Sequence, residues 1–223
     1  MKHHLTIGID EVGRGALAGP VVLAAVQLHG RIRWTHPQLG RIRDSKKLTP
    51  KRREAWFRYL AVHPRLRWRI ARVGPRVIDR INITRAADRG ALRLCHHLVI
   101  ARSTAENGTT KQSRWPRRRL LGSARNGMPA GRRWRVFLDG GLKLPTHIPH
   151  RTIVKGDERL PLIAAASIMA KVWRDRLMRR RSRDFPAYGF ERHKGYATKL
   201  HRRALRRYGP LPIHRKTFLT RLL

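Results

Sequence analysis

Four acidic residues of the chain follow short apolar stretches that predict β-strands. They are Asp10, Glu11, Asp139 and Asp157, at or after the predicted strands 5–10, 134–138 and 152–154. Ligand sites of α/β sheets gather at strand ends, so these acids meet if the three strands are neighbours. Clustered carboxylates need a counter-charge, and hard oxygen ligands suit Mg²⁺ or Mn²⁺. The pattern therefore predicts a divalent-ion site of the kind that cleaves phosphodiesters with two ions.

Any one of these acids by itself is as easily an ordinary strand-end or capping residue. The chain has only 13 Asp and Glu residues, however, and four of them in this pattern favour a shared site. Asp10 and Glu11 are adjacent, and a regular strand directs neighbouring side chains to opposite faces. We therefore expect at least one of the two to lie beyond the strand end, where a turn begins at Gly13.

Glycine, basic and aromatic residues form further candidate binding segments. They are Gly13-Arg14-Gly15, Asp44-Ser45-Lys46-Lys47, Tyr188-Gly189-Phe190 and His193-Lys194-Gly195-Tyr196. Glycine lets a backbone approach a ligand closely, lysines and backbone N–H groups hold phosphate, and aromatic rings stack on bases. The alternatives are a plain tight turn, a solvated charged turn and a packed loop tyrosine. The segment His214-Arg215-Lys216 is interpreted as a basic surface cluster.

The charge of the chain indicates a polyanionic partner. Its 52 Lys and Arg residues against 13 Asp and Glu residues give a formal net charge of +39. Nucleic acid is the expected partner, because neutralising phosphates releases condensed counterions. A general basic drift of the source proteome is an alternative cause of the excess. The sequence has no run of 18 apolar residues and one cysteine, Cys95, so we expect no membrane span, no disulfide within the chain and a cytoplasmic location.

The remaining pattern predicts the elements that must position these residues. An apolar strand at 20–28 follows the Gly-Arg-Gly turn, and residues 66–73 alternate as in a half-buried strand. Thr49 and Pro50 begin a helix that ends at Pro64, residues 84–100 are amphipathic, and 160–181 form a long helix with a face of alanines. A loop is predicted at 188–198 and basic helices at 199–208 and 217–223. This succession favours a mixed α/β sheet covered by helices.

Several sequence blocks, taken together, resemble the ribonuclease HII family of prokaryotes. They are residues 8–15 (GIDEVGRG) with Leu17, Gly19 and Pro20, then 44–48 (DSKKL), 81–83 (INI), 138–140 (LDG), 155–157 (KGD), 164–172 with Arg174-Asp175, 188–190, 193–196 and 214–218 (HRKTF). The blocks occur in the order of the family and span nearly the whole chain, so their combination is specific although each alone is not.

The resemblance implies a ribonuclease H-like fold in one catalytic domain over 1–223: a five-stranded mixed sheet flanked by helices, with a helical region from about residue 185. It implies cleavage of RNA in RNA–DNA hybrids and nicking 5′ of single ribonucleotides in duplex DNA, leaving 5′-phosphate and 3′-hydroxyl ends. The implied catalytic residues and ligands of two Mg²⁺ or Mn²⁺ ions are Asp10, Glu11, Asp139 and Asp157. The implied substrate-binding residues are Gly13, Arg14, Gly15, Lys46, Lys47 and Tyr196, the last sensing the 2′-hydroxyl. Asp175 is interpreted as a supporting acid.

The sequence departs from the family pattern at several places. A basic insertion loop of little periodicity is predicted at about 102–133. Gly141 stands where the family commonly has asparagine, and Arg43, before the Asp-Ser-Lys-Lys block, stands where asparagine is frequent. Two other functions remain open: a ribonuclease HIII-like activity that ignores single ribonucleotides, and a non-catalytic basic protein that binds nucleic acid. A third possibility, that the insertion binds a partner protein or the ribosome, is compatible with the enzyme, and we expect a monomer.

Overall fold

The computed structural model describes residues 5–100 and 134–220. Its strands are β1 (Leu5–Val12), β2 (Val21–Leu28), β3 (Thr35–His36), β4 (Gly40–Arg41), β5 (Leu66–Val73), β6 (Trp134–Asp139) and β7 (His150–Ile153). Five of them form one mixed sheet in the order β5-β2-β1-β6-β7, and β3 pairs with β4 in a small ribbon. The predicted insertion at 102–133 lies outside the described residues.

The sheet combines two kinds of pairing, and the parallel half carries the acids. β1 runs antiparallel to β2, and β2 runs antiparallel to the edge strand β5. β1, β6 and β7 are parallel, so their carboxyl ends lie at one edge of the sheet. β2 is a continuous apolar strand because helices cover both of its faces.

The helices of the described residues are α1 (Pro50–Val62), α2 (Pro75–Ile81), α3 (Ile83–Ile100), α4 (Gly156–Arg159), α5 (Pro161–Asp184), α6 (Phe190–His193), α7 (Lys199–Tyr208) and α8 (Lys216–Leu219). Thr49 caps α1 by accepting from the Arg52 N–H, and Pro50 occupies its first turn, as predicted. Among the described residues, the structure contains no helix of the length and apolar character needed to cross a membrane.

Helix α5 packs closely on the sheet, as its alanine face predicted. Ala164, Ala165, Ala166 and Ala170 are all buried. A Cβ atom added at Gly8 of β1 would lie only 2.8 Å from the Leu162 carbonyl, so the strand needs glycine at this point. This close contact fixes the start of α5 against the strand that carries Asp10.

The two faces of the sheet and the C-terminal region each have their own apolar core. One core includes the face covered by α3, where the thiol of Cys95 is buried, and another lies beneath α1 and α5. A third core joins the segment after β1 to the residues that follow α5, with Phe190 at its centre. The sequence-based fold class is therefore confirmed.

The structure corrects several local expectations. The predicted loop at 188–198 contains the short helix α6, and β7 ends at Ile153, so Asp157 lies in α4 rather than at a strand end. The interpretation of His214 and Arg215 as surface residues is wrong, since they are 2% and 0% exposed. The helix predicted at 217–223 is described only as α8, because residues 221–223 lie outside the described range.

Candidate active site

Three of the four predicted acids meet at the carboxyl end of the parallel strands. One carboxylate oxygen each of Asp10, Glu11 and Asp139 lies within 4.8 Å of the other two. The pairing explains the meeting, since Ile9 of β1 is level with Leu138 of β6 and the next residue on each strand is an acid. The convergence expected from neighbouring strand ends is thus present in the fold.

The expectation that Asp10 or Glu11 would lie beyond the strand is wrong, because β1 continues through both to Val12. The parallel pairing with β6 ends at Ile9, so the edge of β1 beyond it is open on that side. Asp10 interacts with Ser167 of α5, whereas Glu11 contacts Arg14. The two carboxylates therefore start on opposite faces and still meet at the open edge.

The side chain of Arg14 holds Glu11 in place. Its Nη1 donates to Glu11 Oε1 at 3.0 Å and to the Gly141 carbonyl at 2.7 Å, and its Nη2 donates to Thr84 Oγ1 at 3.2 Å. A Cβ atom at Gly141 would lie 2.5 Å from Arg14 Nη1 and 2.8 Å from Glu11 Oε1, so a larger residue there would have to displace these side chains. The second oxygen, Glu11 Oε2, is buried and has no hydrogen-bond partner among the residues that the structure describes.

The backbone of α4 connects the other two acids. The Gly156 N–H donates to Asp139 Oδ1 at 2.8 Å, which orients this carboxylate at the end of β6. The neighbouring Asp157 is buried, and the exposed Lys46 places its Nζ 3.8 Å from Asp157 Oδ2. Asp157 is close enough to Asp139 for the two charges to interact, although it is outside the group of three acids that lie within 4.8 Å.

The acids disfavour one another as anions. Burial raises the pKa of Asp10 well above its ordinary value, and the charges of Glu11 and Asp139 raise it further. Burial also raises the pKa of Glu11, although Arg14 opposes the shift. For Asp157, burial and the adjacent Asp44 raise the pKa despite Lys46. A bound cation would relieve all of these unfavourable effects at once.

The Gly13-Arg14-Gly15 turn lies beside Tyr196. Ala16 forms an isolated antiparallel bridge with Tyr196, and the Leu17 N–H donates to the Gly195 carbonyl at 2.8 Å. Gly13 has a φ of +89°, and a Cβ atom there would lie 2.2 Å from Arg174 Nε, whereas Gly15 has open space around it. The structure thus brings together two predicted substrate-binding segments that are 180 residues apart in sequence.

Other candidate residues are placed away from the acids or inside the core. Lys47 forms a surface ion pair with Glu158, with Nζ 2.9 Å from Oε2. Tyr188 and Phe190 stack on each other in the C-terminal core, and the Tyr188 hydroxyl donates to the Tyr208 carbonyl, so the suggestion that they contact a base is wrong. Asp175 pairs with Lys171 and Arg53, in agreement with a supporting role.

Sequence reasoning did not identify several residues that shape the site. The sequence predicts Asp44 in a phosphate-holding turn, but this residue is buried and its carboxylate lies against that of Asp157. Ser167 interacts with Asp10 and lies 2.8 Å from Ser45, Oγ to Oγ. The only available signal was a polar residue within the apolar run that begins α5. Arg174 and Arg215 are fully buried beneath the Gly-Arg-Gly turn. The sequence is so rich in arginine that nothing in it distinguished these two as core residues.

The fold and the acid cluster define a class of protein, the ribonuclease H-like nucleases that depend on metal ions. The solved ribonuclease HII of Archaeoglobus fulgidus, from a complex with PCNA, is similar with a TM-score of 0.65 and 25% identity, covering 97% of this chain and 96% of that one. The ribonuclease H2 of Pyrococcus horikoshii shares the fold with a TM-score of 0.63 and 23% identity, covering 98% and 96%.

Sequence comparison gives the family. The family model described as Ribonuclease HII matches residues 7–115 and 141–221. The ribonuclease HII of Pelodictyon phaeoclathratiforme is 40% identical over 227 residues, which cover 98% of this chain and 91% of that protein. That of Chlorobium phaeobacteroides is 38% identical over 215 residues, covering 96% and 89%. The chain therefore belongs to the ribonuclease HII family and is a metal-dependent ribonuclease H, a hydrolase.

Proposed function

We propose that this protein hydrolyses the RNA strand of RNA–DNA hybrids and nicks duplex DNA on the 5′ side of a single embedded ribonucleotide. The products would carry 5′-phosphate and 3′-hydroxyl ends. The observation that carries the proposal is the meeting of Asp10, Glu11 and Asp139 within 4.8 Å at the end of parallel strands. Membership of the ribonuclease HII family and the pairing of Ala16, which follows the Gly-Arg-Gly turn, with Tyr196 support the choice of substrate.

The acids fit divalent metal ions. Their donors are all carboxylate oxygens, which Mg²⁺ and Mn²⁺ prefer, and the buried Glu11 Oε2 has no other partner. We propose that Asp10, Glu11, Asp139 and Asp157 together hold two such ions when substrate is present. When bound, the ions would activate the attacking water and stabilise the leaving 3′-oxygen.

The remaining residues position the nucleic acid. Ala16, the residue after the Gly-Arg-Gly turn, pairs with Tyr196, and we propose that one bound nucleotide contacts both the turn and the tyrosine ring. We propose that Tyr196 senses the 2′-hydroxyl, the group that distinguishes RNA from DNA at a single nucleotide. Lys46, next to Asp157, would hold the backbone phosphate near the acids, and Lys47 would hold a more distant phosphate.

The wider biological assignment follows from the proposed reaction. Residues 1–223 would form one catalytic domain, with a basic insertion at about 102–133 and a helical region from about 185. We propose a cytoplasmic monomer that acts during DNA replication and in the excision of ribonucleotides from DNA. The net charge of +39 supports a duplex nucleic acid as the partner.

The test is the cleavage of a DNA duplex with one embedded ribonucleotide, compared with a long RNA–DNA hybrid, in Mg²⁺, in Mn²⁺ and in chelator. A metal-dependent nick 5′ of the ribonucleotide is expected. Asp139→Asn should abolish cleavage and retain binding, whereas Asp184→Asn, an exposed acid paired with Arg181, should behave as wild type. Cleavage of the hybrid alone would indicate a ribonuclease HIII-like enzyme, and binding without any cleavage would indicate a non-catalytic protein.

A further inference from the structure

Two arginines are fully buried beneath the Gly-Arg-Gly turn without a carboxylate partner. Arg174 of α5 and Arg215 before α8 each have 0% exposure. Among the described residues, neither forms a salt bridge within 4.0 Å. Burying an unpaired charge costs several kcal/mol, so these side chains must be satisfied in another way.

The guanidinium of Arg215 is satisfied by the turn itself. Its Nη2 donates to the Gly13 carbonyl and its Nη1 to the Arg14 carbonyl, both at 2.6 Å. Its Nε donates to the Gly19 carbonyl at 3.1 Å. One planar group therefore holds both ends of the segment that begins with the Gly-Arg-Gly turn.

The guanidinium of Arg174 joins this segment to the turn that carries Tyr196. Its Nη2 donates to the Ala18 carbonyl at 3.0 Å and its Nε to the Pro20 carbonyl at 3.1 Å. Its Nη1 donates to the Lys194 carbonyl at 2.9 Å, and its Cζ lies 5.2 Å from the centre of the Tyr196 ring. One side chain thus contacts both predicted substrate-binding segments.

We propose that Arg174 and Arg215 are positioning residues that fix the distance and orientation between the Gly-Arg-Gly turn and Tyr196. This inference rests on the proposed function, because a rigid spacing is needed to sense one 2′-hydroxyl at one fixed place. A single ribonucleotide offers only one such hydroxyl, so a displaced tyrosine misses it. A long hybrid offers a hydroxyl at every nucleotide and tolerates the displacement.

The experiment compares Arg215→Lys and Arg174→Lys with the control Arg176→Lys. Lysine keeps the positive charge but has no planar fork to reach three carbonyls. Arg176 is on the same helix α5, and it pairs with Glu54 away from the turn. We measure kcat and KM on the single-ribonucleotide duplex and on the hybrid, together with hydrogen exchange of the segments 13–20 and 194–198.

Arg215→Lys and Arg174→Lys should lower kcat on the single-ribonucleotide duplex by roughly 10-fold to 100-fold, as expected for a small misplacement of reacting groups. On the hybrid kcat should change little, and KM should stay similar on both substrates because phosphate contacts dominate binding. Exchange of both segments should become faster in these variants and stay unchanged in Arg176→Lys. A merely unstable variant would lose activity on both substrates equally.

The results separate the inference from the proposed function. An unchanged ratio of the two activities in both lysine variants would overturn the positioning role. A wild-type protein that does not nick the single-ribonucleotide duplex would instead overturn the proposed function. If the wild type does not nick this duplex, hydrogen exchange still tests whether the two arginines hold the segments together. Wild-type exchange rates in both lysine variants would then overturn the positioning role too.

Discussion

Gly13→Ala gives a sharp test of how the Gly-Arg-Gly turn is built. Gly13 has a φ of +89°, a region that L-residues rarely adopt, and its Cα faces a buried side chain. The added methyl group would lie 2.2 Å from Nε and 2.8 Å from Cζ of Arg174. This guanidinium has no room to retreat, because its donors are already bound to the Ala18, Pro20 and Lys194 carbonyls.

The expected loss of stability has two parts. The left-handed backbone conformation costs a non-glycine residue about 1–2 kcal/mol. Displacing Arg174 breaks at least one hydrogen bond from a charged donor, which costs about 1.5–3 kcal/mol. The free energy of unfolding should therefore fall by about 3 kcal/mol or more, a large share of the roughly 5–15 kcal/mol of a typical domain.

Gly15→Ala is the matched control. Gly15 lies two residues along the same turn, has no positive φ and has no atom within 4 Å of an added Cβ. Its substitution should leave stability unchanged or raise it by up to about 1 kcal/mol, because alanine lowers the conformational entropy of the unfolded chain. Any loss of cleavage in Gly15→Ala would then arise from the approach of the nucleic acid rather than from folding.

The assay is urea unfolding of both variants and of the wild type, followed by cleavage of the single-ribonucleotide duplex. Gly13→Ala should unfold at a clearly lower urea concentration, and Gly15→Ala should not. If Gly13→Ala unfolds within about 1 kcal/mol of the wild type, then Arg174 is not held as the hydrogen bonds indicate, and the reasoning about both buried arginines fails with it.

Three further predictions concern charge. Asp10→Asn should raise stability without metal at neutral pH, because it removes a buried carboxylate opposed by its neighbours, and the variant should lose the stabilisation that Mg²⁺ gives the wild type in thermal unfolding. Burial lowers the pKa values of His201 and His214 to about 4, so below about pH 6.5 the unfolded chain takes up protons that the folded protein does not. The folded state is therefore fully stable above about pH 6.5 and loses stability as the pH falls towards 4. Urea unfolding at pH 5 should show a loss of about 2 kcal/mol or more relative to pH 7, and a flat profile would contradict the neutral pair. Lys46→Ala should reduce kcat in a cleavage assay, because Lys46 lies next to Asp157. Lys47→Ala should weaken only the salt-dependent part of binding in a filter-binding assay, because Lys47 forms a surface ion pair with Glu158. Equal effects of the two substitutions in both assays would refute this distinction.

The histidine prediction depends on a hydrogen-bond chain that fixes both rings as neutral. The Leu211 N–H donates to His214 Nδ1 at 2.8 Å, so the proton of the His214 ring is on Nε2. That nitrogen lies 3.0 Å from His201 Nε2, and His201 Nδ1 donates in turn to the Tyr196 carbonyl at 2.9 Å. At acid pH His201 Nε2 would also carry a proton, and the two facing N–H groups would repel each other. The Tyr196 turn should therefore loosen before the central sheet does.

The position of the acids was predictable because it depends on local patterns. Asp10 and Glu11 follow the apolar residues of β1 and Asp139 follows those of β6, and parallel strands bring their carboxyl ends to one edge of the sheet. Asp157 was predicted at the end of a strand, whereas three residues separate it from the end of β7 and it lies in α4. The sequence pattern did not show that β1 stays paired with β2 as far as Val12, which is why the placement of both Asp10 and Glu11 within one strand was unexpected.

The partners of the buried basic residues could not be predicted from the sequence, because the sequence does not distinguish a surface arginine from a core arginine. Their acceptors, such as the Gly13 and Lys194 carbonyls, belong to the backbone and leave no trace in residue type. The same holds for His214, whose partner His201 lies 13 residues away on α7. Contacts of this kind depend on the tertiary arrangement of turns, which no periodicity in the sequence reports.

The scarcity of acids gives these contacts a common cause. With 13 carboxylates for 52 lysines and arginines, and five carboxylates placed at Asp10, Glu11, Asp44, Asp139 and Asp157, few remain to neutralise buried basic groups elsewhere. Backbone carbonyls accept from the two core arginines instead, and the core histidines stay uncharged. A carboxylate beneath the turn would neutralise the positive charge that favours an approaching phosphate, so a carbonyl-bound arginine serves a nuclease better than an ion pair would.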